Sequence, residues 1–222
     1  MEIGSRQWQS LIIDGAQKLG IEIDRSAAAQ FSIHALELVK WSRKINLTSI
    51  TQPRDIAVKH FLDSLAPARL IAENARLLDI GSGGGFPGIP LKILKPSISV
   101  LLIDGIRKKV NFLKQVLRIL HLENIAALQI RSENLRKEPG YANGFDVIIS
   151  RALSDLVPFV KSALPLLAKQ GAIIAMKGAL SQKELDTVRA DALDGRHCLE
   201  VENYKLPAID APRSIVIIRP GG

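Results

Sequence analysis

The segment LLDIGSGGGFPGIPL, Leu77 to Leu91, constrains this chain more than any other. An apolar run ends at Ile80, glycines follow at Gly81, Gly83, Gly85 and Gly88, and Pro90 stands where a helix opens or extends. Glycine permits positive φ and lets a ligand approach bare backbone, with the amides of a helix start close by. Such spacing means little by itself. Between a strand and a helix it is the signature of a turn that holds a nucleotide-like ligand.

The surrounding pattern fits that context. Short apolar runs at 76–81, 98–104, 125–131, 145–150 and 171–177 alternate with helical stretches near 88–94, 106–121, 155–168 and 181–193. Near-continuous apolar strands separated by helices predict a parallel sheet buried on both faces. The last two runs, 198–206 and 214–220, are joined only by Pro207 to Arg213, too short for a crossover helix, so that pair is expected to be antiparallel. Before residue 72 the periodicity is helical. Trp8, Leu11, Ile12, Ala16 and Leu19 precede a stop at Gly20, a second helix follows an Asp24 cap, and a third spans about 54–72 after the loop KINLTSITQP. The expected organisation is a helical extension, 1–72, on an α/β domain, 73–222, the two forming one compact unit.

Composition narrows the chemistry. The single cysteine, Cys198, excludes an internal disulfide and a multi-thiolate metal site, and the four histidines show no ligand spacing, so no metal is expected. No run nears the ~20 apolar residues that cross a bilayer, and the N-terminus lacks a signal-peptide pattern. The expectation is a cytoplasmic protein without a membrane partner, acting as a monomer. A formal charge of +8 favours polyanionic partners through counterion release.

Two carboxylates bear on the ligand. Asp104 ends the second strand, where it can accept from both ribose hydroxyls of NAD or of S-adenosylmethionine. Asp79, just before the glycines, suits the ammonium and sulfonium of S-adenosylmethionine and would repel a pyrophosphate. Its alternative role is to cap the turn. Walker-type Lys and Ser/Thr are missing after the glycines, and no G-x-S-x-G nucleophile is present.

KINLTSI (44–50), KHFLDSL (59–65), the glycine turn, IDGIRKKVNFL (103–113), RSENL (131–135), ISRAL (149–153) and MKG (176–178) occur in order. Together they resemble the bacterial 16S ribosomal RNA guanine-N7 methyltransferases, also called glucose-inhibited division protein B. The chain departs from that family's usual pattern at Asp104-Gly105 and Lys108-Lys109, and in WSRK (Trp41 to Lys44) ahead of the loop. The resemblance implies a class I methyltransferase Rossmann-like doubly wound sheet, mostly parallel, with a C-terminal antiparallel hairpin and an N-terminal helical extension. It implies S-adenosylmethionine as donor, and as acceptor a guanine in the decoding-region loop of 16S rRNA, presented as free RNA or in a small-subunit assembly particle. Donor contacts are implied for Gly81, Phe86, Ser132, Glu133 and Arg151, beside Ser82, Gly83 and Gly85 of the turn and the two carboxylates, Asp79 and Asp104, that flank it.

Other readings accompany these. Ser132 could instead cap a short helix, Phe86 could staple a helix start, and Arg151 could form a surface ion pair. His60 and Asp63, three apart, could be an acid–base pair or could pin the extension by hydrogen bonds. Asn46 and Thr48 could line an acceptor pocket or shape a turn, and Lys177 could meet RNA phosphate. Arg107, Lys108, Lys109, Lys114 and Arg118 read as a charged helix face that could also meet RNA. Guanine N7 has an exposed lone pair and loses no proton on methylation. No general base is therefore expected, and positioning supplies the catalysis. A small-molecule methyltransferase and a non-enzymatic RNA-binding or division-associated protein are the rival readings.

Overall fold

The structure, a computed structural model, describes residues 1–142, 144–151, 155–193 and 195–221. Helix α1 (Arg6–Lys18) starts at Ser5, whose hydroxyl accepts from the Trp8 amide, and closes where Gly20 takes a φ of 72°. Helix α2 (Arg25–Ser42) is capped by the Asp24 carboxylate, which accepts from the Ala27 amide at 2.7 Å. The third helical stretch is composite. It runs through α3 (Pro53–Asp55), a π-helical segment (Ile56–Leu62), α4 (Asp63–Leu65) and a 3-10 turn (Ala66–Leu70). A π segment takes more residues per turn than an α-helix, and simple 3.6-residue periodicity does not anticipate it.

Among the described residues the sheet has seven strands: β1 (Arg76–Ile80), β2 (Ser99–Asp104), β3 (Ile125–Gln129), β4 (Phe145–Arg151), β5 (Leu167–Lys177), β6 (His197–Leu206) and β7 (Ala211–Pro220). Their order is β3-β2-β1-β4-β5-β7-β6. The first five are parallel; β7 runs antiparallel to β5 and to β6. Helices α5 (Gly88–Leu94), α6 (Arg107–Ile119), α7 (Ser132–Leu135), α8 (Leu156–Ala163) and α9 (Gln182–Asp191) complete the chain.

The continuous apolar runs are explained by two cores, one on each face of the sheet. Leu77, Leu102, Ile149 and Ile174 face the side covered by α1, α2 and the π segment. Their neighbours Leu78, Leu101, Ile148 and Ile173 face α8 and α9. Trp8, Ile12, Phe31, Phe61 and Leu62 of the extension belong to the first core, together with Leu77 and Ile217 of the sheet.

Two boundaries differ from expectation. The helix expected to reach residue 168 ends at Ala163 and passes through a 3-10 turn, Leu164–Leu166. Pro165, with no amide hydrogen, cannot continue the α pattern. Strand β5 then begins at Leu167 rather than at Gly171. Leu167 pairs with Phe145, and the register shifts before Ala172 pairs with Val147. The irregularity leaves polar Lys169 and Gln170 exposed between buried apolar residues.

Candidate functional site

The strand order reverses between β1 and β4, and there the carboxyl ends of the two strands open a crevice. Ser150 ties them together, donating from Oγ to the Ile80 carbonyl at 2.6 Å. The glycine turn leaves β1 at this point. Gly81, Gly83 and Gly85 have φ of 73°, 52° and 87°. A Cβ placed on Gly81 would meet nothing within 4 Å, so bare backbone faces open space.

The turn is held from beneath. The amides of Gly81 and Ser82 donate to the Ile103 carbonyl at 2.9 and 3.0 Å. Asp104, almost fully buried, accepts from the Gly83 amide at 3.1 Å and, with its other oxygen, from the Ile106 amide at 2.8 Å. Ile106 beside it is an exposed apolar side chain, at 52%. The Ser82 side chain is turned inward, its hydroxyl donating to the Asp79 carbonyl at 2.9 Å, so only its backbone faces the turn.

Asp79 is the most unusual group. It is fully buried, Oδ2 accepts from the Gly88 amide at 2.9 Å, and Oδ1 has no partner. Burial pushes its carboxyl up to about 7, against the opposing pull of the Gly88 bond and the Arg151 charge. A Cβ on Gly88 would come within 2.8 Å of Asp79 Oδ2, so glycine there is a packing requirement.

Arg151, at the end of β4, is no surface residue; its side chain is 14% exposed. It docks onto the π segment, donating from Nη1 to the Lys59 carbonyl at 2.7 Å and from Nη2 to His60 Nδ1 at 3.0 Å. A guanidinium only donates, so Nδ1 of His60 is the bare nitrogen. Nε2 therefore carries the proton and donates to Thr48 Oγ1 at 2.9 Å. Burial first, then the Arg151 charge, holds His60 down to about 3 and therefore neutral. Asp63 is engaged separately. It accepts from the Tyr204 hydroxyl at 2.9 Å and from Arg213 Nε at 3.2 Å, with Arg151 at 3.5 Å. His60 and Asp63 are thus not an acid–base pair. Both side chains meet Arg151 of β4, and Asp63 alone also reaches β6 and β7 through Tyr204 and Arg213.

Phe86 links the two halves of the site. Its ring stacks with His34 at 4.7 Å and with His60 at 4.6 Å, and the Arg151 guanidinium carbon lies 5.0 Å from its centre. Next to it opens a cavity of about 470 Å³ at the ends of β4 and β5. Lys59, Arg151, Lys177 and Arg213 line it against one carboxylate, Asp63. Lys177 pairs with Glu184 at 2.9 Å.

The remaining expected residues are dispersed. Ser132 is buried as the first residue of α7, and the capping position belongs to Arg131, whose side chain makes no capping hydrogen bond. Glu133 is exposed and lines a separate cavity of about 280 Å³ with Arg136, Lys137 and Lys161. Asn46 is exposed in its loop, and Thr48 is the residue there that reaches His60. Arg107, Lys108, Lys114 and Arg118 are exposed along α6, while Lys109 approaches Asp104 at 3.9 Å. Of the ISRAL motif, Ala152 and Leu153 lie outside the described residues.

Sequence reasoning did not single out Lys59, His34, Ile106, Tyr204 or Arg213. For His34 a signal existed: a polar side chain among Phe31, Ala35 and Leu38 on an apolar helix face has to find a buried partner. Arg213 and Tyr204 had none. Asp63, their shared partner, is 150 and 141 residues away in the chain.

A family model described as rRNA small subunit methyltransferase G (GidB) matches residues 27–212. The chain is 44% identical over 212 residues to the ribosomal RNA small subunit methyltransferase G of Geobacter sp. (strain M21), spanning 95% of this chain and 96% of that protein. Among solved structures, a SAM-dependent methyltransferase from Aquifex aeolicus superposes with a TM-score of 0.59 at 18% identity, over 78% of this chain and 97% of that one. TYW2 of M. jannaschii, solved in complex with AdoMet, gives 0.55 at 15% identity over 71% and 73%. At these identities the structural likeness shows a shared fold.

Proposed function

The chain belongs to the rRNA small subunit methyltransferase G family, and from that premise we propose that it methylates N7 of a guanine in the decoding-region loop of 16S rRNA, with S-adenosylmethionine as donor. The observation that carries the donor half is Asp79, a buried carboxylate with one unpartnered oxygen at the base of an open glycine turn. A buried carboxylate is costly unless a cation or hydrogen bonds satisfy it, and the donor's amino-acid end supplies both.

Asp79, the backbone of Gly81, Ser82, Gly83 and Gly85, and Asp104 would hold the donor, with Ile106 offering an apolar surface to its purine. Ser132, buried just after β3, would serve the same ligand through its backbone, whereas Glu133 opens on the separate cavity beside Lys161 and would reach the donor only by turning away from it. Bound there, S-adenosylmethionine supplies a methyl group activated by its sulfonium. Phe86 and Arg151 close the site toward the acceptor.

The cavity beside Arg151 would take the target nucleotide. Its cations outnumber its one carboxylate, a charge balance that suits RNA phosphates. His60 has both ring nitrogens engaged and offers no free lone pair as a base. That supports N7, which needs none, over an exocyclic amine. The substrate is 16S rRNA or an assembling small subunit in the cytoplasm, met by a monomer.

Incubation with unmethylated 16S rRNA and donor, followed by borohydride reduction and aniline scission, should cleave the RNA at one decoding-region guanine. Arg151→Ala should abolish that cleavage while the circular-dichroism spectrum is retained. Near-normal turnover of the variant refutes the role given to Arg151. Donor binding by calorimetry without RNA methylation would favour a small-molecule methyltransferase, and no donor binding at all a non-enzymatic protein.

A further inference from the structure

Three consecutive glycines, Gly83 to Gly85, give the turn the freedom to admit a ligand and the freedom to collapse. Most of its polar groups are tied within the α/β domain. The Gly85 and Phe86 amides donate to the Ser82 carbonyl at 2.7 and 3.1 Å, and the Gly83 amide donates to Asp104. The Gly84 carbonyl points the other way, out of the domain and into the extension. It meets His34 Nε2, on α2, at 2.7 Å. A carbonyl can only accept, so Nε2 carries the proton of His34.

His34 is fully buried. Its ring lies against Phe86 and edge-on to Phe61, and Leu38, one helical turn along, approaches so closely that a Cβ on Gly84 would come within 2.9 Å of it. The peptide between Gly84 and Gly85 has no side chain on either side to resist a flip. Rotation would move the carbonyl away from α2 and take the Gly85 amide off Ser82. The His34 hydrogen bond opposes that rotation, and it comes from a helix outside the α/β domain.

We propose that His34 is a positioning residue for the donor turn: it anchors the Gly84–Gly85 peptide so that the turn is already shaped when S-adenosylmethionine arrives. This rests on the reading that the donor occupies the turn. The ordering cost is then met in folding rather than in binding, which is the general benefit of preorganisation.

The test compares His34→Phe, which keeps ring packing but cannot donate, with His34→Gln, whose amide can. Calorimetry with S-adenosylmethionine should show about tenfold weaker binding for His34→Phe, as expected when a buried acceptor loses its partner, and recovery toward wild type for His34→Gln. Affinity for a 16S rRNA fragment should not change. In ligand-free protein, hydrogen exchange at the Gly85 and Phe86 amides should quicken in His34→Phe only. If His34→Phe fails to fold, His34→Met carries the same expectation. Wild-type donor affinity together with unchanged exchange in the non-donating variant overturns the proposal. Failure of wild-type protein to bind the donor overturns the donor reading instead, and the exchange comparison still decides whether His34 shapes the turn.

Discussion

Asp79 shows how one side chain links fold and ligand. Its Oδ2 organises the start of α5 through Gly88, while its Oδ1 waits without a partner in a fully buried position. With a carboxyl held at about 7, a substantial share of the protein near neutrality carries Asp79 protonated. A cationic ligand favours the ionised form, so donor affinity should rise with pH through that value. Calorimetry should find binding weaker by roughly tenfold at pH 6 than well above pH 7, and Asp79→Asn should bind poorly with a flattened profile. An affinity independent of pH in the wild type would mean that the donor's charge is met elsewhere. The position of Asp79 before the glycines was readable in the sequence, because a strand end and a turn are local features. The depth of its burial was not, since that depends on Gly88 at the start of α5 packing against its carboxylate.

At the scale of elements, the local signals were strong where a cap or an apolar stripe marked them. Asp24 caps α2 through a single hydrogen bond to the Ala27 amide. Asp24→Ala should lower stability by about 1 kcal/mol, read as a shift in urea midpoint, with rRNA methylation unaffected because the cap lies far along α2 from His34. A loss of methylation at full stability would show that the N-terminus of α2 has a further role. The alternation of strands and helices was equally legible, for each strand reads as an apolar run when both its faces are buried. Legibility failed at irregular backbone. The π segment carrying Lys59 and His60 and the shifted register at the start of β5 both depend on what packs against them, and a periodicity argument assumes regular geometry.

For the whole molecule, the buried ionisable groups set how stability follows pH. His34 and His60 are held at about 4 and about 3, both mainly by burial, so unfolding below their ordinary 6.5 lets each take up a proton. Asp79 does the reverse, keeping a proton up to about 7 when folded and releasing it above 3.8 when unfolded. Between about pH 4.5 and 6, unfolding therefore takes up two protons and releases one. These groups should then make stability rise with pH at about 1.4 kcal/mol per unit, levelling off above 7. Guanidinium midpoints across that range check the slope, which should roughly double in Asp79→Asn; a flat wild-type profile would contradict the neutral buried imidazoles. The sequence by itself determined the α/β class, the glycine turn, the terminal hairpin and the two acidic residues flanking the turn. All of these rest on contacts between near neighbours or on a repeating pattern of burial. Only the tertiary structure decided that Arg151, His60, Asp63, Tyr204 and Arg213 converge on one site, and that His34 of α2 meets the Gly84 carbonyl. Those contacts join residues 50 to 150 positions apart, and a hydrogen bond across such a distance leaves no trace in local spacing.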